Sequence, residues 1–360
     1  ERRIAELAQA QAASYGATIV LCTATQPALH RSRYLPCGFA ENEVREIVPN
    51  HLELYQTLQR VDVQHEGPLR DDEVVARLRT RPQALCIVNT RRHARQLFER
   101  LGRGHGHFHL SALMCPAHRA EKLSAIRARL AAGEPCRVVS TQLVEAGVDL
   151  DFPFVLRAAA GVDAIAQAAG RCNREGRLPT RGQVSVFEPE CGVPAGQFSR
   201  AAGLGTLTAR AFPDLLSPEA VHHYFTQLYS FEGPDGLDAK GILPRFEENA
   251  AALSFPFREV AEEFHLIQDD MQPLIIPWSD EARELIRELR HTESPAATAR
   301  RLQRYTVSLY RQTFADLKAA RVVESYADRF HVLTNDCIYD DDVGLCPEDP
   351  THRSVEADIF

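Results

Sequence analysis

The sequence predicts an α/β fold: a parallel sheet flanked by helices, followed by a smaller mixed α+β unit. Three observations carry this. From about residue 58 to 190, short apolar runs alternate with amphipathic helical stretches. Several runs end in a hydroxyl or a turn residue, at Thr90, Ser111, Thr141 and Gly147. Repeated strand–helix units imply a parallel sheet covered on both faces, and right-handed crossovers bring the strand C-termini to one edge. Open sheets of this kind bind ligands at that edge.

In chain order, residues 4–15 read as a helix with Ile4, Leu7, Ala8 and Ala12 on one face, and 17–22 (ATIVLC) as a buried strand running into Thr23-Ala24-Thr25. Pro27 ends regular structure, and 31–57 read as a linker. Val61-Asp62-Val63 is a short strand. Helix 71–80 turns Val74, Val75 and Leu78 inward. Strand 84–88 precedes helix 91–101, whose inward face is Ala94, Leu97, Phe98 and Leu101. Strand 108–113, helix 117–131, strands at 137–141 and 152–156, and strand 184–187 complete the set.

Beyond Pro189 the pattern loosens. Residues 191–240 are rich in Gly and Pro and read as a linker with one helix, 219–230. A second helix is expected in 244–264. A hairpin is expected from 264–267 and 274–276 around Asp269-Asp270. Helices at 280–290 and 295–305 and strands at 307–309 and 322–333 make a C-terminal unit. Asp340-Asp341-Asp342 lacks the alternating ligands and downstream Glu of a calcium loop and reads as a solvated acidic turn.

Composition narrows the function classes. The hydrophobic share is 44%, the charged share 25% and the net charge −8, so a nucleic-acid site must be a local groove rather than a uniformly basic surface. The nine cysteines are odd in number and form no Cys-x-x-Cys pair, which points to a reducing cytosol rather than a disulfide framework. No apolar run approaches the roughly 20 residues of a membrane span, so no membrane partner is expected. His105, His107 and His109 alternate as strand residues on one face would. They lie in a Gly-rich tip with no carboxylate nearby, and no metal site is assigned.

The stretch 136–177 concentrates the chemistry. A strand ends in Ser140-Thr141, a loop follows with Gly147 and Asp149, and residues 163–174 read as one helix capped by Asp163. On such a helix Gln167, Arg171 and Arg174 stand at i, i+4 and i+7 and share a face. Two guanidinium groups one turn apart form a fork for an anion, whereas the bland alternative is a solvated helix face. Gly170 costs a helix about 1 kcal/mol relative to Ala, so a close backbone approach is expected there.

STQLVEAGVD followed by QAAGRCNR resembles motifs V and VI of superfamily 2 helicases, in the right order and spacing. Thr23-Ala24-Thr25 resembles motif III. The wording around Cys172, Asn173 and Glu175 is similar to the CRISPR-associated helicase of type I interference systems, which is fused to a metal-dependent nuclease. The resemblance continues more weakly in LQRYTVSLY and YDDDVGL. It implies a second RecA-like helicase lobe at 58–190, preceded by the end of a first lobe (1–30) and the 31–57 interlobe linker. A linker and helical excursion at 191–279 and an accessory domain at 280–360 follow.

What the resemblance implies about function is specific. ATP with Mg²⁺ would bind between two lobes. Gln167, Arg171 and Arg174 would face the γ-phosphate, with Gly147, Asp149 and Gly170 at the nucleotide. Thr23 and Thr25 would couple the two sites. Thr90, Ser111, Thr141 and Arg119, the last paired with His118, would hold the phosphates of single-stranded DNA. A guide-RNA surveillance complex and a nuclease domain, on the same or a companion chain, would be partners in cytoplasmic antiviral defence. No P-loop, Asp-Glu box or His-Asp dipeptide occurs in the sequence. The Mg²⁺ ligands are therefore expected in a first lobe outside this chain, and the chain alone is expected to be inactive. The alternatives are another superfamily 2 helicase, on RNA or DNA, or a non-catalytic docking module.

Overall fold

The computed structural model describes residues 15–348 apart from 17, 37, 41, 239, 251, 252, 265–270, 292–294, 327 and 328. The expected N-terminal helix lies, but for Tyr15, outside the described residues, as does most of the first strand of the expected 264–276 hairpin. Residues 18–22, expected as a buried strand, are irregular and exposed. Among the described residues they join no sheet.

The main body begins with α1 (His51–Leu58) and β1 (Val61–Leu69). Then follow α2 (Asp71–Arg79), β2 (Gln83–Val88), α3 (Arg91–Leu101), β3 (His107–Leu110), α4 (Pro116–Ala131) and β4 (Cys136–Thr141). β5 (Phe154–Ala158), α5 (Val162–Ala169) and β6 (Gly182–Pro189) complete it. The strands form one sheet in the order β1-β6-β5-β2-β4-β3, with every pairing parallel. Central β2 is buried on both sides. Ala84, Cys86 and Val88 join one core with Val74, Leu78, Leu97 and Phe98, while Leu85 and Ile87 join another with Ile126, Val138 and Ala168. The period-2 alternation of β2 thus feeds both helical layers.

Local chemistry explains the helix starts. α2 carries Asp71, Asp72 and Glu73 in its first turn and Arg77 and Arg79 in its last, which suits the helix dipole. The Thr90 hydroxyl accepts from the His93 N–H at 3.1 Å and caps α3. α4 begins at Pro116, where a missing N–H costs nothing.

α6 (Gln197–Ala211) and α7 (Pro218–Leu237), the latter kinked at Gly233, pack against the outer side of α5 through Leu215, Val221, Tyr224 and Phe225. α6 occupies what reads in sequence as linker. Its glycines argue against a helix, but a Cβ at Gly205 would stand 2.4 Å from the Ala160 carbonyl oxygen. Close approach of α6 to the β5–α5 loop therefore requires glycine and overrides propensity. The single helix expected in 244–264 is two, α8 (Ile242–Ala250) and α9 (Phe257–Glu263), separated by the break at Pro256.

The C-terminal unit is β7 (Met271–Ile275), α10 (Asp280–His291), α11 (Pro295–Leu302), β8 (Thr306–Tyr310), α12 (Arg311–Ala319), β9 (Val323–Tyr326) and β10 (Phe330–Leu333). Its sheet runs β8-β7-β10-β9 and is mixed. Its core is continuous with the main body, since Leu113, Cys115 and Ala117 at the start of α4 belong to the same cluster as Leu274, Leu285 and Leu317. A last hairpin, β11 (Tyr339–Asp340) and β12 (Gly344–Leu345), returns to the main body, where the Leu345 N–H donates to Leu113 O at 2.9 Å.

The acidic turn of that hairpin is not simply solvated. Arg103 reaches Asp340 at 2.6 Å and Asp342 at 3.1 Å, and Lys122 reaches Asp342 at 3.1 Å. The turn fastens this hairpin to α4 and to the loop after α3.

Candidate nucleic-acid groove and nucleotide-facing turn

The C-terminal ends of β2 and β4 open into a groove of about 1260 Å³, closed on its far side by β8 and α12. Thr90, Thr141 and Arg119 line it, with Arg91, Phe198 and Tyr310. Three of the four residues expected to hold phosphates therefore meet in one place. Arg119 is half-buried, and among the described residues no carboxylate pairs with it. Burial holds its guanidinium below the usual arginine range, weakly opposed by Cys115 and Tyr339. Asp316 and Glu348 also line the groove, Glu348 being paired with Arg95, and a half-buried guanidinium with no direct ion pair among the described residues favours an anion beside it. Phe198 and Tyr310 are each 53% exposed, and the Arg91 guanidinium lies 5.0 Å from the Tyr310 ring centroid.

The fourth residue, Ser111, does not line the groove. Its side chain is fully buried and accepts the Leu113 N–H at 3.2 Å, which shapes the turn before α4. His118 does not face phosphate either. It is buried, stacks on Trp278 at 4.9 Å, bonds Tyr339 Oη at 3.0 Å, and donates from Nε2 to Asp341 O at 2.8 Å. It joins the main body to the C-terminal unit.

In place of the expected helix 163–174, α5 stops at Ala169, with Gly161 rather than Asp163 as its N-terminal cap and Gly170 as its C-terminal cap. Beyond Gly170 the chain leaves the helix to pair with Phe152. The Phe152 N–H donates to Arg171 O and the Asn173 N–H to Phe152 O, both at 2.9 Å. Around Gly170 the nearest atoms are carbonyls of its own helix, so the close approach expected there is not found.

Consequently Gln167, Arg171 and Arg174 do not share a helical face. Gln167 is exposed on α5. Arg171 turns inward, donating from Nε to Val144 O and from Nη2 to Glu145 O, each at 2.7 Å. Burial, and after it the Arg174 charge, holds its guanidinium below the usual range. Arg174 points outward and pairs with Asp149 at 2.9 Å, while its N–H donates to Asp151 Oδ1 at 2.8 Å.

Arg174 and Gly170 line a second, smaller cavity of about 500 Å³, together with Thr25, Tyr55 and Asn173. Thr23 Oγ1 donates to Thr25 O at 3.2 Å in an exposed turn. Gly147 is exposed on the loop that carries Asp149. This side therefore offers two guanidinium groups at one cavity, those of Arg174 and of exposed Arg60, whose Nη1 also donates to Arg174 O, and such a pair fits part of a polyphosphate. Among the described residues no group of three His, Cys, Asp or Glu is placed to hold a metal ion. The histidine run does not converge: His105 contacts Arg129, His107 Nδ1 donates to Gly102 O at 2.8 Å, and His109 is buried beside Phe98. No helix among the described residues is long and apolar enough to cross a membrane.

Sequence reasoning missed the polar centre between the two cavities. Arg157, 1% exposed, sits in β5 with Nε 2.7 Å from Glu145 Oε1, a Coulombic contact rather than an aligned hydrogen bond. Its Nη1 donates to Asn89 Oδ1 at 2.6 Å and to Ala158 O at 2.8 Å. The signal was an arginine inside the apolar run FPFVLRA, where an isolated charge cannot stand unpaired.

Residues 80–177 match a family described as CRISPR-associated nuclease/helicase Cas3, C-terminal. Over 40 residues the chain is 58% identical to the CRISPR-associated nuclease/helicase Cas3 of Haloferax volcanii, which takes in 11% of this chain and 4% of that protein. Among solved structures it is similar to T. fusca Cas3 with ATP, at TM-score 0.51 and 17% identity, covering 79% of this chain and 42% of that one. It is also similar to a structure described as a CRISPR-associated protein, at TM-score 0.55 and 16% identity, covering 93% of this chain and 45% of that one. At these identities the structural likeness is one of fold, and the chain spans less than half the length of either solved relative.

Proposed function

We propose, from a chain whose residues 80–177 match the C-terminal segment of the Cas3 family, that it is the second lobe and accessory unit of an ATP-dependent single-stranded DNA translocase in CRISPR-associated defence. The single observation that carries the reading is the half-buried Arg119, without an ion-pair partner among the described residues, in a groove shared with Thr90 and Thr141. A cation and two hydroxyls grip a phosphate backbone without reading sequence. The exposed rings of Phe198 and Tyr310 suit bases that are free to stack, which a duplex does not offer.

ATP would meet this chain at Arg174, Gly170 and the Gly147–Asp149 loop. Bound there, it would supply the phosphoryl group transferred to water, and an arginine on that group is worth roughly 10³–10⁵ in rate. Of Arg171 and Arg174, the outward Arg174 takes that role, while Arg171 fastens the loop behind it. Mg²⁺ would be held by residues outside this chain, as would the nuclease activity. A guide-RNA surveillance complex would deliver the DNA, a partner in keeping with a CRISPR-associated family.

Fluorescence anisotropy with unrelated oligonucleotides tests the reading. Single strands should bind more tightly than duplexes of the same sequences, and Arg119→Ala should weaken all single strands about equally. Preference for duplex, or a loss confined to one sequence, overturns it.

A further inference from the structure

The groove and the nucleotide-facing turn are joined by a series of polar contacts and two short stretches of backbone, within Glu145 and from Arg171 to Arg174. At the groove, Gln142 Nε2 donates to Asn89 O at 3.2 Å. Asn89 Oδ1 accepts from Arg157, and Asn89 Nδ2 donates to Ala159 O at 2.9 Å. Arg157 meets Glu145 at 2.7 Å in the interior. The Glu145 carbonyl, with that of Val144, holds Arg171, three residues before Arg174. Asn89 and Gln142 line the groove, and Arg174 lines the other cavity.

The centre of this path is energetically unusual. Burial raises the Glu145 carboxyl and lowers the Arg157 guanidinium, each opposed by its partner. A buried ion pair is costly to form, and a well-packed apolar pair of similar volume is often as stable or more so. Stability alone therefore does not account for it. Its geometry does something an apolar pair cannot, because one guanidinium fixes both the end of β2 and the loop after β4.

We propose that the Arg157–Glu145 pair is a positioning device that couples occupancy of the groove to the placement of the Arg171–Arg174 turn. A strand of DNA displacing Asn89 or Gln142 shifts Arg157, the shift moves Glu145, and the Glu145 carbonyl carries Arg171. This rests on the translocase reading above.

The test uses the full-length protein with Arg157→Met/Glu145→Leu, which replaces the pair by an apolar one of similar volume, and Arg157→Lys, which keeps the charge but cannot serve both partners. Oligonucleotide affinity, basal ATP turnover and its stimulation by single-stranded DNA are measured, with hydrogen exchange over 170–176 with and without oligonucleotide. In the double variant, affinity and basal turnover should stay within about twofold while stimulation falls about tenfold, a usual size for coupling between sites. DNA-dependent protection of 170–176 should disappear. Arg157→Lys should fall between. Unchanged stimulation and protection in a folded double variant overturns the inference, as does an equal fall in all three quantities, which marks a merely structural pair. A wild-type protein whose turnover ignores DNA overturns the functional reading itself, and the inference with it.

Discussion

Arg171 Nη2 donates to the Glu145 carbonyl at 2.7 Å, and with the bond from Nε to Val144 O this ties the turn after α5 to the loop after β4. The side chain is a brace, and its loss leaves two carbonyls without their charged donor. Arg171→Ala should therefore cost stability, about 3 kcal/mol for charge-assisted bonds in a buried setting. Urea unfolding of the purified chain measures it. A change under about 0.5 kcal/mol would mean that the brace is not formed.

Arg174 should behave oppositely. Its side chain is 44% exposed and its partner Asp149 81% exposed, and such pairs contribute at most about 1 kcal/mol. Arg174→Ala should leave the unfolding midpoint nearly unchanged and lower ATP turnover of the full-length protein about 10³-fold. Steady-state turnover within twofold of wild type would remove Arg174 from the nucleotide site.

Binding in the groove should carry an electrostatic signature. Each phosphate held on a single strand contributes about 0.7 to the slope of log affinity against log salt. Arg119→Ala should reduce that slope by about this amount, read from titrations at several salt concentrations. An unchanged slope would mean that Arg119 makes no phosphate contact.

His109 predicts a pH dependence. Burial, and after it the nearby Arg95 charge, lowers it to about 4, against 6.5 for an ordinary histidine. Between those values the unfolded chain binds a proton that the folded chain excludes, so stability rises with pH across the window and is lost as pH falls from 6.5 towards 4. The contribution is about 3 kcal/mol at neutral pH. Urea unfolding between pH 7.5 and 4.5 should show this loss in wild type and much less of it in His109→Phe, which keeps a ring beside Phe98. Parallel pH profiles would contradict the assignment.

Much of this architecture is legible from residues alone. The buried alternation of β2, the cap at Thr90 and the inward face of α3 all follow from local pattern. What escaped was set by tertiary contact. α6 forms across Gly203 and Gly205 because Gly205 packs on Ala160. The helix after Gly161 stops at Ala169 because residues 171–173 are held against Phe152, and that pairing dissolves the arginine fork that spacing implies. Ser111 and His118 carry plausible chemistry for phosphate, yet burial commits both to the frame. The Arg157–Glu145 pair joins residues distant in sequence, and only the strand order brings them together.

The boundary between main body and C-terminal unit is an interface of this kind. Gly344 takes a φ of +80°, and a Cβ there would stand 2.6 Å from Leu113 O. Gly344→Ala should lift the last hairpin and expose Leu113 and Tyr339, lowering the unfolding midpoint. Removing residues 271–360 should cost the remainder about 2 kcal/mol or more from Leu113 alone. A truncated chain as stable as the intact one would show that the two units fold independently.

The central claim is that a single strand of nucleic acid runs between the sheet edge and the C-terminal unit. Photocrosslinking of a single-stranded oligonucleotide carrying 5-iodouracil, followed by peptide mapping, tests it most directly. The account predicts adducts at Phe198 and Tyr310, lost on competition with unlabelled single strand and weakened by Arg119→Ala. Adducts confined to the surface of α8 and α9, with none in the groove, would contradict it.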